Sequence, residues 1–370
     1  MFEISKILKR SWQILWDYKV LWIFGFLLVL TGSGGGGGGG SNFSTSMRQN
    51  MNGRNWSNQF ENQPWGREVT TWLTQNFGRF FDTQAHTLQF VIWAAVIIFA
   101  VSLIIGLILA LVRYPAETAV IRMVNEHEAE GTKMGFKQGW RMGWNRRAFR
   151  IWLIDLVIGI PILLICLGFV TGFGFAVYNA VKIGSGNTAA VGGVVASMAL
   201  VFLLLIPFLL LFVLVGIVRE YIIRFAAIEG TGVWESFAKG WHFFTKNFKN
   251  TLLIWLVLIG VGIATGLAMM LAVIILIPAY VILAIPGAIV AAIPAAIGYG
   301  ITSLFSAQVW PWIIAVLVAL PFFFIVAFAP IYLISGWIKV FGSSVWTLTY
   351  RQLKLMAMVP PEVTPPPLNS

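Results

Sequence analysis

The sequence predicts an all-α integral membrane protein with six transmembrane helices, arranged as three pseudo-repeated hairpins with interfacial amphipathic helices. Of the 370 residues, 58% are hydrophobic and only 11% are charged, whereas soluble domains carry about 25% charged residues. Several apolar segments are long enough to cross a bilayer, and a basic, Trp-bearing stretch precedes such a segment three times. Lipid must therefore be the solvent for much of the surface.

Six apolar segments are candidates for membrane-spanning helices, which need about 20 predominantly apolar residues. The first is weak, because its apolar core covers only residues 20–31, and we expect residues 12–18 to complete it. A cleaved signal peptide is the alternative, but Asp17 and Lys19 lie beside the core and no A-x-A site follows. The other five segments are 88–112, 151–181, 189–218, 251–277 and 311–338.

The basic residues are distributed unequally between the two sides of this arrangement. Twenty of the 25 Lys and Arg residues fall on one side if both termini are cytoplasmic. The positive-inside rule then predicts a multi-pass protein of the cell membrane with both termini in the cytoplasm. The net charge of +11 is thus best explained by contact with anionic lipid headgroups rather than with nucleic acid.

The three copies divide the chain into repeat 1 (residues 1–130), repeat 2 (131–231) and repeat 3 (232–354), followed by a Pro-rich tail (355–370) that we expect to be disordered. Corresponding points are marked by Ser11-Trp12, Gly139-Trp140 and Gly240-Trp241. Each unit is predicted to contain an amphipathic helix, a span, an outer connection and a second span.

The amphipathic stretches are the candidate lipid contacts. In the third copy, five aromatic residues between Trp234 and Phe248 are spaced 3, 4, 3 and 4 apart, which places them on one helical stripe. A helix with an aromatic face and a basic face lies in the headgroup plane, although packing against its own bundle is an equally good alternative. The expected headgroup contacts are Lys9, Arg10, Trp12, Trp140, Arg141, Trp144, Arg147, Lys239, Trp241, Lys246 and Lys249.

Two outer connections are unusual. Residues 32–87 begin with a glycine-serine run and continue with a Ser- and Asn-rich stretch, which predicts a flexible loop, and its end (69–81) has a helical apolar stripe. In the apolar segment 277–301, Ile-Pro pairs recur every eight residues. Because proline removes a backbone donor that lipid cannot replace, we expect a re-entrant or surface-lying segment, with a seventh span as the alternative.

No arrangement of residues in the sequence predicts catalysis, cofactor binding or metal binding. Asp155 is the one acidic residue that we place inside a span. It is a candidate intramembrane polar site, but we prefer an acid in the first turn of a helix, which the helix dipole stabilises. The cluster Glu126, His127, Glu128 and Glu130 lacks the spacing of metal ligands. We therefore expect no enzymatic activity and no proton or sodium coupling.

The stretches 236–247, 138–145 and 344–351 resemble a bacterial family, the glycerophosphoryl diester phosphodiesterase membrane domain and related polytopic proteins. In that family the catalytic phosphodiesterase is a separate soluble barrel, and here a Pro-rich tail follows the last helix. The resemblance implies a membrane module of unknown activity and assigns no catalytic residues to this sequence. The predicted function is a lipid-interacting or scaffold module, and the alternative is a transporter or permease for a small or lipid-like substrate. Protein partners and oligomeric state are not predicted.

Overall fold

The computed structural model describes residues 3–32, 84–183, 188–304 and 310–358. Throughout these residues the regular elements are helices. The chain divides into two compact units, Gly40–Leu111 and the combination of Met1–Gly39 with Val112–Ser370. The elements are α1 (Ile4–Asp17), α2 (Val20–Leu30), α3 (Gln84–Glu130), α4 (Phe136–Gly143), α5 (Arg146–Ile183), α6 (Thr188–Arg224), a π-helix (Phe225–Glu229), α7 (Val233–Lys246), α8 (Phe248–Ile275), α9 (Ile277–Ser303), α10 (Trp310–Ala327) and α11 (Ala329–Met358).

Five of these helices are long and apolar enough to cross a membrane, and two sharply bent helix pairs would bring the number to seven. The five lie in α3, α5, α6, α8 and α9, and the bent pairs are α1 with α2 and α10 with α11. Most of their apolar side chains are exposed, for example Leu163, Phe202 and Leu256. Exposure of such long apolar faces is expected where lipid replaces water. The all-helical membrane class follows, and among the described residues five to seven helices or bent pairs qualify as spans, compared with the six predicted.

The first predicted span is not one helix. α1 and α2 meet at an angle of 98°, because the chain leaves the helical ladder at Tyr18, whose hydroxyl donates a hydrogen bond to the carbonyl oxygen of Met134 (3.0 Å). The eleven residues of α2 rise only about 17 Å, roughly half of a hydrocarbon core. The first predicted span is therefore a sharply bent pair of helices rather than one straight helix that residues 12–18 lengthen.

The Pro-containing segment 277–301 differs from the predicted re-entrant segment. It lies within α9, a continuous helix of 27 residues. Pro278 lies in its first turn, where a backbone donor is not needed. Pro286 and Pro294 lie inside the helix, where each removes one hydrogen bond and leaves the remaining ladder in place. Length and composition thus make α9 a candidate span.

α9 and α10 form an antiparallel helical hairpin. The rings of Tyr280 and Phe328 are 5.3 Å apart at one end, and those of Tyr299 and Trp312 are 4.8 Å apart at the other. The end of α8 and the start of α11 consequently lie at the same end of this hairpin. The hairpin therefore returns the chain to the end of α8 before α11 begins.

The packed core lies beyond the apolar spans, in segments that the sequence assigns to connections. Buried residues concentrate in α1, in 114–127 of α3, in 217–227 and in 340–353 of α11. Gly131 and Gly230, both with φ of +69°, end α3 and the π-helix in a left-handed conformation that favours glycine. The rings of Trp12 in α1 and Phe341 in α11 are 6.2 Å apart. The first and last helices thus meet in the same core.

Candidate functional site

Seven charged residues from four helices meet in this core, and we call them the charged hub. α3, α5, α6 and α11 contribute them, and most are buried. The hub consists of Arg113, Glu117, Asp155, Arg219, Glu220, Arg224 and Lys339.

Asp155 is the best-bonded carboxylate of the hub. Arg219 donates two hydrogen bonds to it, from Nε to Oδ1 (2.6 Å) and from Nη2 to Oδ2 (2.8 Å). Oδ2 also accepts longer hydrogen bonds from Arg113 Nη2 (3.4 Å) and from the hydroxyl of Tyr114 (3.2 Å). This two-point geometry is the strong form of an arginine–carboxylate pair. The preferred interpretation of Asp155 as a first-turn acid is wrong, because α5 begins at Arg146 and Asp155 lies in its third turn.

Arg219 and Glu220 extend this pair into a network. Arg219 Nη2 also donates to Glu117 Oε1 (3.2 Å), and its Nη1 lies 3.8 Å from Glu220 Oε1. Glu220 pairs in turn with the fully buried Arg224 through Oε2 (2.6 Å). Arg224 Nη2 donates to the carbonyl oxygen of Ser343 on α11 (3.1 Å). The hub thereby links helices that are distant in sequence.

The hub contains unpaired polar atoms and an excess of positive charge. Four cations face three carboxylates. Within the described chain, Glu117 Oε2 and the Nε atoms of Arg113 and Arg224 are buried without a hydrogen-bond partner. Lys339 is electrostatically coupled to Glu117 and Glu220 but makes no ion pair within 4 Å to any described residue. Buried polar groups are normally satisfied, so these three unpaired atoms show that the internal bonding of the hub is incomplete.

The sequence identified only Asp155 in this site and missed its partners. Arg219, Glu117 and Arg224 lie just beyond the apolar runs that predict the spans. The missed signal was helical spacing, because Arg113 and Glu117, and likewise Glu220 and Arg224, stand four residues apart. That spacing places both members of each pair on one helix face.

The second candidate site consists of the short helices α1, α4 and α7, which share one pattern of burial. Eight residues after each N-cap comes a buried small residue, and the next residue is a half-exposed Trp. The N-caps are Glu3, Gly135 and Gly232, the small residues are Ser11, Gly143 and Gly240, and the exposed fractions are 55% for Trp12, 56% for Trp144 and 52% for Trp241.

This register corrects the matching of Gly139-Trp140 with the other two copies. Gly143-Trp144 stands at the matched distance from the helix start, whereas Trp140 is only partly exposed. α4 contains two Gly-Trp pairs one turn apart, so the local pattern alone could not choose between them.

The small residues allow close packing on longer helices. A Cβ atom at Gly143 would lie 2.2 Å from the carbonyl oxygen of Pro115 in α3, and one at Gly240 would lie 2.6 Å from Ile222 Cγ1 in α6. α1 packs on α11. Each short helix therefore packs on a long helix that supplies part of the hub.

The predicted headgroup residues have different environments. Arg10 pairs with Glu128 (2.9 Å), and Arg147 donates to the carbonyl oxygens of Ala227 and Ile228. These two side chains are used inside the protein. By contrast, four basic residues are exposed and form no ion pair within the described ranges, namely Lys9, Arg141, Lys246 and Lys249.

The aromatic stripe of α7 is divided between two environments. Phe244 is buried, whereas Trp234 and Trp241 are exposed. Lys239 pairs with Glu235 (2.8 Å) on the outer surface. Their hydrogen bond lowers the pKa of the Glu235 carboxyl and raises the pKa of the Lys239 ammonium. α7 therefore both packs on the core and presents tryptophans outward, so neither original alternative excludes the other.

The acidic cluster near the end of α3 uses its side chains in contacts within the protein. His127 Nδ1 lies 3.1 Å from the carbonyl oxygen of Thr132, and Glu126 and Glu128 pair with Arg122 and Arg10. Across the described residues there is no group of three or more His, Cys, Asp or Glu side chains placed to hold a metal ion.

Long apolar helices with exposed faces, joined to a core that contains buried charges, define a multi-pass α-helical membrane protein. The chain belongs to DUF7544, a family of unknown function, which it matches over residues 3–346. Comparison with curated proteins and with solved structures gives no match.

Proposed function

We propose that this protein is a non-enzymatic, lipid-interacting membrane module whose core end lies at the headgroup layer of an anionic leaflet. The observation that carries the proposal is the matched, half-exposed tryptophan on each of α1, α4 and α7. Indole rings favour the membrane–water interface, where the ring is apolar and the N–H is hydrated.

Exposed basic residues accompany these tryptophans on or beside the same helices. Lys9 precedes Trp12, Arg141 precedes Trp144, and Lys246 follows Trp241. Long basic side chains can bury their stems and extend their charges to the headgroups. Each is worth about 1 kcal/mol at an anionic surface, so the three helices together contribute several kcal/mol.

The packing order supports a three-unit repeat closed into a ring. α4 packs on α3, α7 packs on α6, and α1 packs on α11. Each short helix thereby rests on the last helix of the preceding unit, and the first unit closes on the third. Three contacts around a ring resist tilting of the protein in the membrane. The resemblance to the glycerophosphoryl diester phosphodiesterase membrane domain is part of the same proposal.

We place the core end in the cytoplasm. Arg351 in the second half of α11 donates to Asn125 of α3, and Arg10 of α1 pairs with Glu128 of the same helix, so the two ends of the described chain belong on one side. That side is the one with 20 of the 25 basic residues, which favours the cytoplasm.

Spin-label depth measurement tests the headgroup position directly. The single cysteine, Cys166, is replaced by Ala, and a nitroxide is attached at Trp241→Cys in full-length protein in anionic vesicles. The label is expected to be more accessible to oxygen than to a water-soluble nickel chelate. The control label at Lys246→Cys, about 140° around the same helix, is expected to show the reverse. The proposal would be refuted if the labels at residues 241 and 246 showed the same ratio of accessibility to oxygen and to the nickel chelate.

A transporter or permease is the second candidate, and the charged hub is the observation that favours it. Charged residues at the ends of spans are costly and often line ion or substrate paths. Asp155 and Arg219 are the central pair. Gradient-driven uptake into proteoliposomes that Asp155→Asn abolishes would establish transport and refute the scaffold interpretation.

A further inference from the structure

An apolar groove between α5 and α6 begins one turn from the charged hub. On α5, Ile158, Ile162 and Ile165 follow Asp155 at intervals of 3, 4 and 3. On α6, Phe208, Phe212 and Val215 precede Arg219 at matching helical intervals. These intervals place the groove and the Asp155–Arg219 pair on the same helix faces. The apolar groove thus ends beside the charged hub.

Among the three arginines of the hub, Arg113 is the most exposed and the least restrained. Its side chain is 22% exposed, and its ion pair with Asp155 is a single 3.4 Å contact through Nη2. A guanidinium has five N–H donors and binds phosphate with two parallel hydrogen bonds. Arg113 can therefore bind an oxyanion without giving up a strong pair.

The groove also lies beside an interfacial helix. Phe237 of α7 forms part of its lining, and α7 presents Trp234 and Trp241 outward. If α7 lies in the headgroup layer, as proposed above, the hub end of the groove is at headgroup depth and the rest extends among the acyl chains. This step rests on the proposed function.

We propose that the groove binds one acyl chain of an anionic phospholipid, whose phosphate pairs with Arg113. The branched and aromatic lining matches a hydrocarbon chain. The hub supplies the complementary charge, because its four cations exceed its three carboxylates. The bound lipid is then a specific ligand, held in addition to the lipids that surround any membrane protein.

Native mass spectrometry of the full-length protein in mild detergent tests this site, with phosphatidylglycerol and phosphatidylcholine of identical chains as probes. The unaltered protein is expected to retain one phosphatidylglycerol, with at least tenfold preference over phosphatidylcholine. Leu211→Trp fills the groove at a half-exposed position and is expected to abolish retention of this lipid. The matched control is Ile263→Trp, at an exposed position on α8, and it is expected to retain the lipid.

Arg113→Gln tests the phosphate contact separately. It is expected to abolish the preference for phosphatidylglycerol, and Arg113→Lys is expected to restore part of it. The control Arg146→Gln removes an exposed basic residue and is expected to leave the preference unchanged. A thermal melt of each variant identifies loss of fold, and Leu211→Trp gives an independent result if Arg113→Gln is unstable.

Three results would overturn the proposal. Equal lipid loss in Leu211→Trp and Ile263→Trp would indicate unspecific surface lipid. A preference that survives Arg113→Gln would exclude the phosphate contact. A lipid-free dimer that Leu211→Trp dissociates would make the groove an interface between two copies. The spin-label depth of residue 241 is independent of all three, so the failure of this site and of the proposed function are distinguishable.

Discussion

Removal of Arg219 is expected to destabilise the protein more than removal of any exposed charge. Arg219 makes both short hydrogen bonds of Asp155 and the only direct bond of Glu117 among the described residues. The two carboxylate side chains are only 14% and 11% exposed. In Arg219→Leu, Asp155 keeps its longer contacts and Glu117 loses its direct partner. Breaking a buried ion pair in this way costs about 3–5 kcal/mol.

Equilibrium unfolding of the full chain in mixed detergent micelles measures this loss. The matched control is Arg10→Leu, which breaks the Arg10–Glu128 pair, whose side chains are 44% and 27% exposed. Exposed pairs contribute about 0–1 kcal/mol. Arg219→Leu is therefore expected to cost several times more than the control.

A double variant separates desolvation from lost packing. Combining Asp155→Leu with Arg219→Leu removes both charges, and a buried pair replaced by apolar residues often regains stability. The double variant is expected to be more stable than Arg219→Leu alone, although Glu117 remains unpaired. A loss below about 1 kcal/mol for Arg219→Leu, or strict additivity of the two substitutions, would show that the hub is not a coupled, desolvated network.

The remaining predictions concern helix packing, topology and pH. Gly240→Ala is expected to lower stability by about 1–3 kcal/mol through the contact with α6, whereas Gly159→Ala, which has open space around it, is expected to be neutral or stabilising. Equal melting temperatures of Gly240→Ala and Gly159→Ala in detergent would contradict the packing argument. Reporter fusions after Leu355 and in the glycine-serine run are expected to be active inside and outside the cell, respectively, and an outer C-terminal fusion would contradict the predicted topology. Because the hydrogen bond from Lys239 lowers the pKa of Glu235, the pair stabilises α7 at neutral pH, and this contribution is lost as pH falls through that lowered pKa. Hydrogen exchange of α7 that is equally acid-sensitive in Glu235→Gln would contradict this assignment.

The sequence by itself determined the class of protein and the approximate position of most of the long apolar helices. Apolar length and scarcity of charge are local properties that lipid imposes on each segment separately, so they are readable without a structure. The expectation that prolines interrupt the helix at 277–301 was wrong for α9, because interior prolines remove single hydrogen bonds without ending a helix. The predicted stripe at 69–81, the tail at 355–370 beyond Met358 and most of the loop at 32–87 lie outside the described residues.

Only the tertiary structure decided which charges meet and which faces pack. Asp155 and Arg219 are 64 residues apart, and an isolated aspartate near a span has the same local pattern whether it is paired or merely near a helix end. The choice of Trp144 over Trp140 likewise depends on the start of α4 and on the close contact of Gly143 with α3. Ion pairing and close packing depend on distances between segments, and a periodic sequence pattern describes one segment at a time.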